Sequence, residues 1–446
     1  MRLTLPEPSN LETDGFSKSD IFGYSEFGQR LAILISSINE PLVITLDGTW
    51  GSGKSVFVKQ WTGLIKKEYG GSVVYFDAFA NDFHSDAFLA LAAEIYSIAN
   101  KTLDENNPSI KEFLDKTDKA ARVIASKGID IGLRLGTAGN VNLKDIEDVL
   151  KAFEDESEKA ISKQLQKADE ERESLKAFRD SLSGVSKSIT EKNQDAGQSL
   201  PLIFIVDELD RCRPSFALEI LEHIKHLFSV ENVCFVLVTN LTQMEAIIKK
   251  TYGAETEART YLEKFYKHKV ALPESDFQDQ SQRDKYLTYL WNNLQPKFER
   301  HETNIIIDEI RHLVNAHTLS LRQIEHVMGN IVLVAAFSSR LASSSLIVTI
   351  SLCIMRQTHP ELYVLARENK LSWEKVEEKF LEIDKNNKRI EVVNGWKYIT
   401  DPDVPEELIL KYSGMWINRF PNLDLPYHRL FLQRVFTNEI DSLLGN

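Results

Sequence analysis

The sequence predicts an α/β fold in which a parallel sheet is flanked by helices, interrupted by a long helical insertion and followed by an α-helical lid and C-terminal region. Three observations predict it. Residues 42–46, 72–76, 202–206 and 233–238 are short apolar runs of strand length. Stretches with helical spacing alternate with them, an order that implies parallel pairing through crossovers. The first run also feeds a glycine-rich turn that opens a helix, and ligands gather at the carboxyl ends of such strands.

The first strand, Leu42-Val43-Ile44-Thr45-Leu46, leads into Gly48-Thr49-Trp50-Gly51-Ser52-Gly53-Lys54-Ser55, which satisfies G-x-x-x-x-G-K-[ST], the Walker A pattern. The glycines let the backbone curl until successive N–H groups face a phosphate, and a Cβ at Gly48 or Gly53 would obstruct that curl. The N-terminus of the next helix adds partial positive charge. Lys54 is placed to reach the β- and γ-phosphates and the Ser55 hydroxyl to ligate Mg2+, so the expected ligand is a nucleoside triphosphate with its metal. Val56, Phe57, Trp61, Leu64 and Ile65 recur near helical spacing until Gly70-Gly71 stops the pattern. A chance match in a glycine-rich turn would lack this strand before it and helix after it.

The second strand, 72–76, is followed by Asp77-Ala78-Phe79-Ala80-Asn81-Asp82 and a helix from about 86 to 99. Residues 100–198 change character: charged sequence with sparse apolar positions (Phe153, Ile161, Leu165, Leu175, Phe178, Leu182) reads as long amphipathic helices with a break at Gly136, Gly139 and Asn140. A helical spacer is expected here in preference to a partner-binding arm, because charged helices are commonly solvated faces. The third strand ends in Asp207-Glu208, a Walker B pattern in which Asp207 would hold the Mg2+ shell and Glu208 would polarise the attacking water. Alone, such a pair is more often a helix N-cap or a solvated turn; its partnership with Lys54 favours catalysis. Pro214 begins a helix with Leu218, Leu221, Ile224 and Leu227 on one side. The fourth strand ends at Thr239-Asn240, beside the strand carrying Asp207, where Asn240 either senses the γ-phosphate or positions water, or closes an ordinary turn.

A length of 446 residues exceeds one compact core. The expected divisions are a nucleotide core over 1–99 and 199–275, the insertion over 100–198, a helical lid over 276–360 and a mainly helical region over 361–446. In the lid, Ser320-Leu321-Arg322-Gln323-Ile324 opens a helix with Ile324, Val327 and Met328 on its buried side. Arg322 is the candidate to reach a γ-phosphate, against a surface ion pair worth under about 1 kcal/mol. Arg259 and Arg211 are weaker candidates for an arginine supplied in trans. The C-terminal region carries Trp373, Trp396, Trp416 and Phe420 but no catalytic constellation, and His359 and His428 lack ligand-spaced partners. Cys212, Cys234 and Cys353 suit a reducing cytosol, and the N-terminus lacks an export pattern, so a cytoplasmic location is expected. The apolar stretch 331–355 is split by Arg340 and serine clusters into pieces shorter than the roughly 20 residues that span a bilayer, so it reads as core helices and no membrane is expected. The formal net charge of −13 opposes broad polyanion binding, with Lys385, Lys388 and Arg389 the most evident cationic cluster.

Several runs together resemble the KAP family of P-loop NTPases: Asp20-Ile21-Phe22-Gly23-Tyr24 with Phe27 and Leu31; Leu46-Asp47 leading into the glycine loop; and Val206-Asp207-Glu208-Leu209-Asp210-Arg211-Cys212. Glu222-His223-Ile224-Lys225-His226-Leu227-Phe228 and Tyr261-Leu262-Glu263-Lys264-Phe265 before Leu272-Pro273 extend the likeness. The resemblance implies an α/β P-loop domain, Mg2+-dependent hydrolysis, ATP in preference to GTP, and a helical lid. It places base contacts at Ile21, Phe22 and Gly23, and brings Asp210 and Arg211 into the site. Many relatives carry transmembrane helices between the two Walker motifs; this chain has a polar helical insertion there, so membrane attachment is not carried over. Prokaryotic relatives often act against phages or plasmids, an analogy only.

The expected function is an ATPase whose cycle switches assembly or partner contacts, within a homo-oligomer or with a protein partner. One alternative is a nucleotide-dependent scaffold with little turnover until its partner arrives. The other, a nucleic-acid-stimulated motor, is disfavoured by the acidic balance.

Overall fold

The computed structural model describes residues 10–17, 20–38, 40–84, 86–104, 106–127, 158–194, 200–273, 282–296, 298, 300–337, 343–381, 396–397, 399–401, 432–433 and 435–436. Gly136, Gly139, Asn140, Phe153, Lys385, Lys388, Arg389, Trp416, Phe420 and His428 lie outside them. The chain divides into two compact units, one spanning Asn10–Pro273 and the other falling within Glu274–Asn446.

The first unit is built on parallel strands β1 (Leu42–Asp47), β2 (Val73–Asp77), β3 (Leu202–Asp207), β4 (Val233–Thr239) and β5 (His268–Ala271), ordered β2-β3-β4-β1-β5. Strands buried on both faces read as continuous apolar runs, and side chains alternate between the faces. Val43, Val74, Phe76, Phe204, Val206 and Phe235 belong to one core, whereas Ile44, Leu46, Ile203, Ile205, Val236 and Val238 belong to the other. The edge strand β5 was not anticipated. His268, Lys269 and Ala271 are exposed, so it carries no apolar run, and its pairing with β1 defines it.

One face is covered by α1 (Leu11–Asp14), α2 (Ser25–Ser36) and α3 (Lys54–Glu68), through Phe16, Tyr24, Leu31, Phe57 and Trp61. The buried Trp61 indole donates to the Gly28 carbonyl at 2.9 Å, which fastens α3 to α2. The other face receives α4 (Ala87–Thr102), α5 (Pro108–Lys127), α6 (Glu158–Gln194) and α7 (Pro214–His223), the last extended by a π-helical turn, Ile224–Phe228. Asp86 caps α4 by accepting from the Leu89 amide at 2.9 Å. After β4 come α8 (Leu241–Tyr252) and α9 (Ala258–Leu262).

The described helices of the insertion differ from the expected spacer. Phe178, Leu182, Val185 and Ile189 form a stripe at alternating four- and three-residue spacing on α6, all fully buried. They join Phe113 and Ala120 of α5 in the same core as the sheet. Phe178 lies 4.9 Å from Phe88, 5.8 Å from Phe113 and 5.3 Å from Phe228, centroid to centroid. The two helices run antiparallel, Ser109 at the start of α5 meeting Ser188 near the end of α6 at 3.0 Å. The charged residues occupy the outer faces, which is why composition alone suggested a solvated segment.

The described part of the second unit is helical: α10 (Gln282–Leu294), α11 (Arg300–Ala316), α12 (Leu321–Phe337), α13 (Ser343–Thr358), α14 (Pro360–Arg367) and α15 (Trp373–Lys379). They enclose a core of their own that includes Leu290, Ile310, Ile324, Val327, Met328 and Leu352. Trp396 is 1 % exposed and belongs to this core. The described residues of the stretch 331–355 belong to α12 and α13, with Ile331, Val332, Ile350, Leu352 and Ile354 buried. Among the described residues, no helix is long and apolar enough to cross a membrane.

Candidate functional site

The loop between β1 and α3 curls for the reason its glycines suggest. Gly51 and Gly53 have φ of 78° and 90°, in the left-handed region that disfavours side chains. A Cβ on Gly48 would stand 3.0 Å from the Ser52 hydroxyl, so bulk there would push into the loop interior. The Gly48 amide donates to the Thr239 carbonyl at 3.3 Å, which ties the loop to the end of β4. Lys54 folds back, its ammonium donating to the carbonyls of Gly48 and Thr49 at 2.5 and 3.0 Å. Burial holds its pKa below the ordinary lysine value, against the pull of Asp210, Asp207 and Asp47. The Ser52 hydroxyl is buried without a hydrogen-bond partner. The hydroxyl is a buried donor in the glycine loop that a bound anion would satisfy.

Strand register then lines up the acids. Asp77 of β2 stands level with Asp207 of β3, Asp207 with Val238 of β4, and Asp47 of β1 with Thr239, all at the carboxyl edge. Asp207 is 2 % exposed. Its Oδ1 accepts from the Glu208 amide at 2.8 Å, its Oδ2 from the Tyr75 hydroxyl at 2.9 Å, and the Ser55 hydroxyl also bonds to the carboxylate. Burial pushes the Asp207 carboxyl upward, while the bonds from Ser55, Tyr75 and the Glu208 amide pull it down. The two predicted metal ligands, Ser55 and Asp207, are thus in contact although β4 separates their strands. A hydroxyl and a buried carboxylate form a hard oxygen donor set that fits Mg2+.

Glu208 adopts φ 59°, left-handed for a residue with a side chain, and starts the 3-10 turn Leu209–Arg211. Its Oε1 accepts from Arg211 Nη1 at 2.7 Å. Burial raises the Glu208 carboxyl, and Arg211 opposes the rise. Asp210 is buried and bridges: its Oδ2 accepts from the Trp50 indole N–H and its Oδ1 from the Thr239 hydroxyl at 3.3 Å. One carboxylate therefore joins the phosphate loop, the Walker B turn and the end of β4. Behind the turn, Arg213 holds the 78–84 loop by donating from its amide and Nε to the Asp82 carboxylate, both at 2.9 Å.

The remaining predicted residues lie on other elements. Asn240 caps α8, accepting from the Thr242 amide at 3.1 Å. Asp47 supports the same junction by accepting from the Leu241 amide at 2.9 Å and pairing with Lys269 at 2.8 Å. Burial raises the Asp47 carboxyl, but these bonds outweigh it and leave the group below its ordinary value. Ile21, Phe22 and Gly23 precede α2, where the Asp20 carboxylate accepts from the amides of Tyr24 and Ser25 at 2.7 and 2.9 Å. Tyr24 sets its ring edge-on to Phe57 of α3 at 5.9 Å, so the segment packs on the phosphate-loop helix. Arg259 is exposed and pairs with Glu263 at 3.7 Å. Arg322 lies in the first turn of α12, in the second unit, and is exposed. Sequence reasoning missed Tyr75 and Asp47 as site residues. A tyrosine inside an apolar run signals a strand, and its meeting with Asp207 requires knowing that β2 pairs with β3.

No curated protein matches the chain. Among solved structures, the ORC2 protein of Aeropyrum pernix, determined in ADPNP–ADP complexes, is 12 % identical, with 97 % of this chain and 90 % of that chain covered at a TM-score of 0.34. The model of the KAP family P-loop domain matches residues 24–338, a span that begins just after Ile21–Gly23 and includes the glycine loop, both Walker B acids and α12. With most of its length in that match and the loop and acids assembled at one sheet edge, the chain belongs to the KAP family of P-loop NTPases.

Proposed function

We propose that this protein binds ATP with Mg2+ and hydrolyses it, and that the cycle switches assembly or partner contacts. The observation that carries the reading is the contact between Ser55 and Asp207, with Glu208 next in the chain, at the mouth of a phosphate-shaped loop. Loop amides and Lys54 bind the β- and γ-phosphates, and Lys54 exchanges its two carbonyl acceptors for phosphate oxygens. Ser55 and Asp207 would hold the cation, and bound Mg2+ would neutralise charge that develops on the phosphate oxygens. Glu208 accepts a proton from the attacking water once Arg211 yields its carboxylate. Because the ionised form is the base and burial raises its pKa, turnover rises with pH through that raised value.

A general base contributes typically ~10²–10⁴-fold, so Glu208→Gln is expected to lose that much turnover while a fluorescent ATP analogue still binds. Steady-state hydrolysis measured over a range of protein concentrations tests this, and unchanged turnover in the variant would sink the assignment. A rate per subunit that climbs with concentration supports action within an assembly. One observation favours a second reading, a nucleotide-dependent scaffold: the Glu208 carboxylate is already engaged by Arg211 at 2.7 Å. Tight binding without hydrolysis in either protein selects it. A defence role rests on family analogy, and a phage-plating assay comparing intact protein with Lys54→Ala tests it.

A further inference from the structure

Tyr75 is a site residue to which the phosphate chemistry assigns no task. It lies in β2, level with Ile205 of β3, two residues before Asp77 reaches the level of Asp207. From there its hydroxyl donates to Asp207 Oδ2 at 2.9 Å, while the Glu208 amide occupies Oδ1. The Lys59 ammonium of α3 stands 5.1 Å from the centre of its ring, one helical turn beyond Ser55. Tyr75 is thus held between the helix that supplies the hydroxyl ligand and the strand that supplies the carboxylate ligand. The terminal torsion of an aspartate is soft, and once the Ser55 hydroxyl turns from the carboxylate to a cation, the Glu208 amide at Oδ1 is, among the described residues, the one other donor that holds it. A second donor at Oδ2 removes that freedom and fixes which lone pairs face Ser55.

We infer that Tyr75 is a positioning residue for the divalent cation, locking Asp207 in the orientation that lets it share a metal with Ser55. The inference rests on the Mg2+ reading above. Partners that orient ligating groups are typically worth ~10–100-fold in metal affinity, although they touch neither metal nor nucleotide.

The test uses the full-length protein and Tyr75→Phe, which removes one oxygen and keeps the ring. A fluorescent ATP analogue is titrated into each, in chelator and in Mg2+, and thermal unfolding is recorded alongside. The expected result is that Mg2+ tightens binding to the intact protein, that metal-free affinity and unfolding are equal in the two proteins, and that the variant loses ~10–100-fold of the Mg2+-dependent gain. Electron paramagnetic resonance of Mn2+ added to the ADP-loaded proteins is expected to show the same weakening. An undiminished gain in Tyr75→Phe overturns the inference. So does an equal loss of metal-free affinity, which would make the hydroxyl a packing element of the loop. If Mg2+ does not tighten binding to the intact protein, the metal reading itself fails and the role of Tyr75 falls with it.

Discussion

Asp210 shows how much a single side chain can connect at this site. The loop donor Trp50 and the strand-end donor Thr239 share its carboxylate, and Trp50 keeps that bond although the residue is 46 % exposed. Hydrogen bonds to charged acceptors contribute roughly 1.5–3 kcal/mol each. Asp210→Ala is therefore expected to weaken nucleotide binding about tenfold or more, read by titration calorimetry, with both loops untethered. A different residue governs the pH dependence of stability. Burial raises Glu222 to about 7, with Glu219 adding and Lys225 opposing, while burial lowers its neighbour His223 to about 4. Between the ordinary glutamate value of 4.5 and about 7, the folded chain retains a proton that the unfolded chain has released, so Glu222 lowers stability as pH rises through that window. His223 acts oppositely: stability is lost as pH falls from 6.5 towards about 4, because the unfolded chain takes up a proton that the folded chain refuses. Glu222→Gln is thus expected to raise unfolding free energy above about pH 8 by on the order of 2–3 kcal/mol, with a smaller gain in mild acid. Urea melts at the two pH values decide it; equal gains would refute the linkage.

At the scale of elements, α6 is the decisive case. Its charged outer face gives it the composition of a solvated spacer, yet Phe178 sits among Phe88, Phe113 and Phe228 in the core beneath the sheet. Phe178→Ala is expected to cost ~3–5 kcal/mol in a denaturant melt, the range for emptying a buried aromatic site. A solvated helix would give a change within about 0.5 kcal/mol. The π-helical turn Ile224–Phe228 and the edge strand β5 belong to the same class of features. Neither has a local pattern that separates it from an ordinary helix end or loop: the π turn is defined by bonds such as that from the Ser229 amide to the Ile224 carbonyl at 2.8 Å, and β5 by its pairing with β1.

At the scale of the whole molecule, the described residues form two cores on the faces of the sheet and one within the helical unit. Nucleotide binding by the loop should stabilise the unit Asn10–Pro273 directly. In scanning calorimetry, nucleotide at ~100 times its Kd is expected to add about 2.7 kcal/mol to the transition of that unit and to leave the helical unit's transition in place. A shift of both transitions together would show that the units unfold as one.

Much of this was legible in advance, for local reasons. Run length marked β1, β2, β3 and β4; glycine spacing marked the phosphate loop; and an acidic pair closing an apolar run marked Asp207 and Glu208. Each is a property of adjacent residues, and burial on both sheet faces leaves a continuous apolar trace. Only the tertiary structure decided that the strands lie in the order β2-β3-β4-β1-β5, so that Tyr75 reaches Asp207 and Asp210 joins Trp50 to Thr239. It likewise decided that the insertion helps to build the core. The Tyr75–Asp207 and Trp50–Asp210 bonds join segments more than a hundred residues apart, and pairing at such separation is set by the fit of whole surfaces, which no local run of residue types encodes.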